Sequence, residues 1–143
     1  MWLNFKIEGG DFTRAGAASS QVKKALKQLN VNPAIIKRVV VALYEAEVNI
    51  VAHAYRGDIS VSIEPEKVYI KLTDEGPGIP DIEQAMRKGF STASQKVREM
   101  GFGAGMGLPN IKDNADMFDI TSEVNKGTTL EITILLNDEG TKN

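Results

Sequence analysis

"GFGAGMGLPNIK", residues 101–112, places a glycine at every second position four times and then continues into an apolar segment. Because glycine has no Cβ atom, such a stretch loses much conformational entropy when it becomes ordered. Backbone N–H groups at the start of a helix can bind an anion, and the helix dipole favours negative charge there. The stretch therefore predicts a glycine-rich phosphate loop, with a flexible connecting loop as the alternative.

Two familiar glycine motifs do not fit this stretch. A dinucleotide fingerprint needs a strand that runs directly into the glycines, whereas the preceding segment "STASQKVREM" (91–100) is polar. A Walker motif needs a lysine and then Ser or Thr after the glycines, and this pair is absent. A glycine-rich loop that leads into a helix remains.

A polar stripe interrupts the most apolar helix that the sequence predicts, at residues 32–55. Glu45, Asn49 and His53 follow the spacing i, i+4, i+8, which places them on one helix face. One interpretation is a carboxylate base beside an amide oxygen that can bind Mg²⁺. The other is a stripe that faces solvent, and this segment alone favours neither. His53 by itself is interpreted as a structural histidine, since the chain has only one histidine.

The segment "DEGPGIP" (74–80) follows a predicted strand. Gly76 and Gly78 permit a tight turn and the close approach of a flat ligand to the backbone. Asp74, at the end of the strand, could accept a hydrogen bond from an exocyclic amine. A plain turn is the alternative, because this short motif is a weak signal.

The composition is that of an ordinary globular protein. The 143 residues are 42% hydrophobic and 25% charged, with a net charge of −2, so no basic field recruits nucleic acid or an anionic membrane. The absence of cysteine excludes a disulfide framework and a thiolate metal site. With no leader pattern and no membrane-spanning run, we expect one cytoplasmic domain over 1–143, with a frayed tail at about 137–143.

The predicted strands are neighbours in the sequence, which predicts a mostly antiparallel sheet with helices layered on one face, an α+β two-layer sandwich. Asp11 is the expected cap of the first helix, and Asn32 with Pro33 marks the start of the long one. A turn is expected at 57–58 and a hairpin at 65–66. The predicted strands are 2–8, 59–64, 67–74, 117–124 and 128–136, and the predicted helices are 11–29, 32–55, 79–89 and 108–116.

The order of these motifs resembles the GHKL ATP-binding fold. Glu-x-x-x-Asn on a helix is followed by Asp-x-Gly-x-Gly after a strand, a glycine-rich segment before a helix, and "GTT" (127–129) before the last strand. The resemblance covers residues 35–134. The GHKL family includes gyrase, Hsp90, MutL, histidine kinases and the small kinases that control bacterial sigma factors. It implies a mixed, mostly antiparallel sheet, with a glycine-rich lid over the triphosphate of ATP.

Within that family the chain is similar to the stand-alone regulators of sigma factors. The segment "YEAEVNIVAHAY" (44–55) resembles the anti-sigma-factor serine kinases. The segments "DEGPGIPDIEQAMRKGFST" (74–92) and "GAGMGLPNIKDNADMFDI" (103–120) resemble the switch kinases of the stress pathway, which phosphorylate Ser or Thr on STAS-domain partners. Both branches share fold and chemistry and differ in partner.

The resemblance assigns a role to individual residues. It implies that Glu45 is the general base, that Asn49 is a ligand of Mg²⁺, and that Asp74 accepts from the adenine amino group. It also implies that Gly78 lies beneath the adenine and that Thr128 joins the adenine, aspartate and water network. The full set of expected nucleotide contacts is Asn49, Asp74, Gly76, Gly78, Ile79, Gly103, Gly105, Met106, Gly107, Leu108 and Thr128.

The chain departs from the family pattern at two places. The basic residue that sigma-binding kinases tend to carry before the last Gly-x-Gly is replaced by Gly103 and Ala104, so Lys96 or Arg98 is the candidate for the γ-phosphate. Glu47 is a second acid in the long helix and is expected on the surface.

Three functions follow from the resemblance, and the sequence does not separate the first two. The first is an ATP- and Mg²⁺-dependent kinase that phosphorylates a STAS-domain anti-anti-sigma protein. The second is an ATP-gated anti-sigma factor that sequesters a sigma factor, with little or no kinase activity. The third is a degenerate nucleotide sensor, which Glu45 disfavours. The resemblance is compatible with a homodimer and implies neither nucleic acid nor membrane as partner.

Overall fold

A computed structural model describes residues 1–87 and 107–136 of the chain. Strands and helices follow the expected order within these ranges. The strands are β1 (Trp2–Glu8), β2 (Arg56–Ile63), β3 (Lys67–Glu75), β4 (Met117–Glu123) and β5 (Gly127–Leu135). The helices are α1 (Ala17–Gln28), α2 (Pro33–His53), α3 (Ile82–Ala85) and α4 (Gly107–Asn114), with a 3₁₀ turn at Phe12–Arg14.

The five strands form one sheet in the order β1-β2-β3-β5-β4. Each neighbouring pair in that order is antiparallel, so the described sheet is antiparallel throughout. Consecutive strands pair through the β2–β3 and β4–β5 hairpins, as the sequence predicted. The expected α+β architecture is confirmed.

One face of the sheet carries the core. Alternate residues of the three central strands are buried, among them Ile59, Ile70 and Ile132. Helix α2 packs across this face, with α1 and α4 on either side of it. Residues of α2 that face the sheet or these helices, such as Leu43 and Ile50, are completely buried. Removal of this apolar surface from water is the main driving force for the layered fold.

The long helix begins where the sequence predicts. The side chain of Asn32 accepts a hydrogen bond of 2.8 Å from the backbone N–H of Ala34, and Pro33 occupies the first helical position. An N-cap acceptor and a proline without an N–H both suit a helix start, because the first N–H groups have no partner in the helix.

The single helix predicted over 11–29 is wrong. The chain forms a 3₁₀ turn and then enters α1 through Gly16, whose φ of 100° is left-handed and interrupts the helix. The Asp11 side chain caps no backbone group; it accepts from the Thr13 hydroxyl at 2.9 Å.

The turn predicted at Gly57 and Asp58 is also wrong, because both residues lie within β2. A Cβ atom on Gly57 would lie 2.7 Å from Cδ1 of Ile50, so the absence of a side chain there leaves room for α2 to pack closely on the strand. The glycine that was interpreted as part of a turn instead allows close packing between β2 and α2.

Two expectations lie outside the described residues: the course of the glycine-rich segment before Gly107 and the frayed tail at 137–143. Among the helices within 1–87 and 107–136, none has the length and hydropathy required to cross a bilayer.

Candidate functional site

Glu45 lies on α2, half-buried, at the point where α4 begins. Its Oε2 accepts a hydrogen bond of 2.7 Å from Nδ2 of Asn110 in α4. Its Oε1 lies 3.8 Å from the position that a Cβ atom on Gly107 would occupy. The structure therefore brings Glu45 to the N-terminal turn of α4, which directly follows the glycine-rich segment.

Asn49 lies one helical turn beyond Glu45 on the same face of α2 and is half-buried. Within residues 1–87 and 107–136 its side-chain amide makes no hydrogen bond, so its oxygen is available to a ligand. The same ranges contain no group of three or more His, Asp or Glu residues able to hold a metal ion.

His53 ends α2 and is half-buried. Burial lowers the pKa of the imidazole from its ordinary value of 6.5. The side chain is therefore neutral at pH 7, in keeping with its interpretation as a structural residue.

Asp74 lies near the end of β3 and is also half-buried. Its Oδ1 accepts a hydrogen bond of 3.0 Å from the backbone N–H of Thr128. Burial raises the pKa of the Asp74 carboxyl, and the Thr128 hydrogen bond opposes that rise. Its Oδ2 accepts no hydrogen bond from the part of the chain that the structure describes. One carboxylate oxygen is thus anchored, and the other can receive a donor.

Ser122, which the sequence analysis missed, links the residues around Asp74. Its hydroxyl accepts a hydrogen bond of 2.8 Å from the backbone N–H of Ile79 and lies 2.8 Å from the Thr128 hydroxyl. It also lies within 3.0 Å of the Gly127 carbonyl oxygen, to which it can donate. The register of the β4–β5 hairpin pairs Ser122 with Thr128, so an alignment of these two strands could have identified it.

Two glycines allow the backbone segments of this region to pack closely. Gly78 has a φ of 76°, and a Cβ atom there would lie 2.4 Å from the carbonyl oxygen of Glu123. A Cβ atom on Gly127 would lie 1.9 Å from the carbonyl oxygen of Asp74. Packing against the protein backbone accounts for both glycines, whereas the sequence analysis had explained Gly78 by the approach of a flat ligand.

Helix α2 connects the two parts of the candidate site. Eight residues separate Glu45 from His53, a rise of about 12 Å along the helix axis. The helix leads into Ala54, and a Cβ atom on Gly76 would lie 3.0 Å from Cα of Ala54. Glu45 and Asn49 therefore lie along one helix whose C-terminal end meets the loop that follows Asp74.

The remaining expected contacts divide into two groups. Leu108 is 7% exposed and lies in the core, and Ile79 is half-buried against the core. Packing is therefore a sufficient reason for an apolar residue at both positions. Gly103, Gly105, Met106, Lys96 and Arg98 lie outside the described residues.

The expected surface position of Glu47 is wrong, because its side chain is 1% exposed. Its carboxylate accepts hydrogen bonds from the backbone N–H groups of Ala18 at 3.2 Å and Ser19 at 3.3 Å. These N–H groups lie in the first turn of α1, whose cap residue Gly16 has no side chain. Glu47 therefore caps α1 from a neighbouring helix, and this contact compensates for burial of its charge.

Comparison with known proteins agrees with this arrangement. The sequence profile of the histidine kinase-like ATPase domain matches residues 11–134. The chain is 40% identical over 92 residues to an anti-sigma F factor of Geobacillus stearothermophilus, a match that covers 60% of each protein. It is 31% identical over 119 residues to the serine/threonine-protein kinase RsbT of Bacillus subtilis, covering 80% of this chain and 84% of RsbT.

A solved structure has the same fold. The RsbU and RsbW domains of a Mycobacterium tuberculosis protein superpose with a TM-score of 0.63 at 16% identity, over 94% of this chain and 32% of that one. The profile match extends over most of the described sheet and its helices, including Glu45, Asp74 and Thr128. The chain belongs to the histidine kinase-like ATPase domain family.

Proposed function

We propose that this protein is an ATP-dependent serine/threonine kinase that phosphorylates a STAS-domain partner in a bacterial sigma-factor switch. The observation that carries the proposal is Glu45, a half-buried carboxylate on α2 that Asn110 holds at 2.7 Å beside the start of α4. A carboxylate in this place can act as the general base toward a hydroxyl presented from outside the chain.

Asp74 is the proposed acceptor for the adenine amino group. The Thr128 N–H fixes Oδ1, which leaves Oδ2 to accept a donor from the base. Hydrogen bonds to an ionised acceptor are roughly twice as strong as those between neutral groups, so Asp74 favours a ligand with an amino group. The Ser122 and Thr128 hydroxyls, 2.8 Å apart, keep the segment at Ile79 attached to the end of the sheet beside Asp74.

The N-terminal turn of α4 and Asn49 are the proposed phosphate and Mg²⁺ region. The first N–H groups of a helix have no partner within the helix and attract anions. Mg²⁺ is commonly held by few protein ligands together with substrate phosphates, which suits a single amide oxygen. When bound, the ion would neutralise phosphate charge, and the described residues would supply Asn49 toward it.

In this arrangement Glu45 accepts the proton of the partner's hydroxyl as that oxygen attacks the γ-phosphorus of ATP. The bond from the γ-phosphorus to the β–γ bridging oxygen breaks, and ADP leaves. Phosphoryl transfer depends mainly on positioning and charge stabilisation, so a fixed base and an anion-binding helix start are the contributions expected of the protein. The anchored carboxylate supports this assignment over the solvent-facing stripe that the sequence left open.

A second function is favoured by a specific observation. The chain is 40% identical to an anti-sigma F factor, although it matches only 60% of that protein's length. An ATP-gated anti-sigma factor would bind a sigma factor and transfer little or no phosphate. The kinase is preferred because RsbT matches over 84% of its length and because Glu45 is held in place.

The two functions can be separated with labelled ATP. The protein is incubated with Mg²⁺ and ATP labelled at the γ-phosphate, together with each STAS-domain protein or each sigma factor of the same organism. The kinase proposal predicts label on a serine or threonine of a STAS-domain protein. Tight ATP-dependent binding of a sigma factor without label on any STAS-domain protein would instead establish sequestration.

A further inference from the structure

Asn110 was not among the residues that the sequence analysis selected, yet it makes the hydrogen bond that fixes Glu45. Its Nδ2 donates to Oε2 of Glu45 over 2.7 Å. The two residues are 65 positions apart in the sequence, and one lies on α2 while the other lies on α4. The contact therefore depends on how α4 docks against α2.

The neighbours of Asn110 hold it in a defined orientation. Leu108, Pro109 and Ile111, which flank it on α4, are all buried. The backbone carbonyl oxygen of Asn110 also accepts a hydrogen bond of 2.8 Å from Nδ2 of Asn114, one turn later on the helix. Packing therefore fixes the backbone at Asn110, and the hydrogen bond to Glu45 holds its side-chain amide.

The C-terminal end of α4 is attached to α2 as well. Nε of Arg38, on α2, donates to the carbonyl oxygen of Asn114 over 3.1 Å. Its guanidinium also pairs with Asp116 at 3.2 Å, and the same carboxylate oxygen accepts from the backbone N–H of Leu135 at 2.7 Å. Helix α4 is thus held to α2 at both ends, at Glu45 and at Arg38, and to the sheet through Asp116.

We infer that Asn110 is the positioning residue of Glu45. By holding Oε2 it leaves Oε1 directed toward Gly107 and the N-terminal turn of α4, where the reacting phosphate is proposed to lie. This inference rests on the proposed function, because it concerns the base of that reaction. It differs from a merely structural role of Asn110, which would affect stability and leave transfer by the folded protein intact.

A double-mutant cycle tests the inference. Asn110→Ala is expected to lower kcat for phosphate transfer about 10-fold or more and to leave KM for ATP nearly unchanged. The loss is smaller than the roughly 10²–10⁴-fold that a general base contributes, because Glu45 itself is still present. In a Glu45→Gln background the same substitution should change kcat by less than about 2-fold, because residues that act as a unit are not additive. Asn110→Asp, which keeps the shape but cannot donate when ionised, should be as slow as Asn110→Ala. Lys112→Ala, an exposed site on the same helix, is the control.

The outcomes separate this inference from the proposed function. If the wild type labels no STAS-domain protein, the proposed function fails. If the wild type transfers phosphate and Glu45→Gln does so at the same rate, Glu45 is not the base and the inference about Asn110 fails with it. If Glu45→Gln is slow but Asn110→Ala is normal, or if their effects simply multiply, Asn110 does not act through Glu45.

The contact itself can be measured without any activity. The side-chain NH₂ resonances of Asn110 are identified as those that are present in the ¹⁵N–¹H spectrum of the wild type and missing from that of Asn110→Ala. Glu45→Gln should then shift these resonances, whereas Lys112→Ala should not. Unmoved Asn110 resonances in Glu45→Gln would overturn the inference whatever the kinase assay shows.

Discussion

Replacement of Glu47 by alanine should destabilise the protein strongly while leaving its chemistry intact. Glu47 is 1% exposed, and its carboxylate accepts hydrogen bonds from Ala18 N–H at 3.2 Å and Ser19 N–H at 3.3 Å. The substitution leaves both donors without this partner at the start of α1, where Gly16 offers no side chain in its place. The helix would lose its only side-chain cap among the described residues.

The expected loss follows from these contacts. The cap consists of two hydrogen bonds to a charged carboxylate, each of which contributes about 1.5–3 kcal/mol, so a loss of about 3 kcal/mol is expected at the lower end of that range. At about 2.1 cal/mol/K per residue, the unfolding entropy of a chain of this size is near 0.3 kcal/mol/K, and Tm should fall by about 10 °C. Glu47→Gln keeps an acceptor oxygen and should lose about 1 kcal/mol.

Urea unfolding and thermal melting of the two Glu47 variants measure these losses. Glu45→Ala is a matched control, since it removes the same side chain two positions earlier on α2 from a half-buried site. It removes one hydrogen bond to a charged group and should cost about 1.5 kcal/mol, roughly half of the loss expected for Glu47→Ala. An unfolding free energy of Glu47→Ala within about 0.5 kcal/mol of wild type would refute the capping role, because changes in stability that small are typical of substitutions at the surface.

The remaining predictions concern the region around Asp74. Asp74→Asn removes a charged acceptor and should weaken ATP binding about 10–100-fold by calorimetry, while GTP binding changes less. Because burial raises the pKa of Asp74 in the folded state, its ionised form lowers stability relative to the unfolded chain as the pH rises above the unfolded value, so Asp74→Asn should melt no lower than wild type at pH 7. The raised pKa also affects ATP binding. As the pH is lowered, the ATP affinity of the wild type should begin to fall at a higher pH than it would if Asp74 had the ordinary pKa of 3.8, and Asp74→Asn should lack this dependence. Gly127→Ala places a Cβ atom 1.9 Å from the carbonyl oxygen of Asp74, so it should lower both Tm and ATP affinity; a normal Tm would show that the hairpin relaxes without cost.

Local signals in the sequence predicted much of the fold. Asn32 and Pro33 marked the start of α2 correctly, because capping depends on residues that are adjacent in the chain. The period-two alternation likewise identified all five described strands. At Gly57 the same kind of local reasoning failed, since this glycine lies within a strand and leaves room for Ile50 on α2.

The candidate site was predictable only in part, for the same reason. Glu45 and Asp74 were selected from motifs, and the structure gives each a defined hydrogen-bond partner. The partners themselves depend on tertiary contacts, as Asn110 lies 65 residues from Glu45. The burial of Glu47 was not predicted, because the backbone N–H groups that donate to it lie 28 and 29 residues away in the sequence, and helical periodicity gives no information on such distant contacts.

The measurement that tests the central claim most directly is phosphate transfer by Glu45→Gln under single-turnover conditions, with nucleotide affinity measured on the same preparation. The account predicts that the variant binds Mg·ATP nearly as well as wild type and transfers phosphate to a STAS-domain partner at least about 100-fold more slowly. Asn49→Ala, by comparison, should lose both binding and transfer. Transfer by Glu45→Gln at the wild-type rate would contradict the account and remove Glu45 as the base.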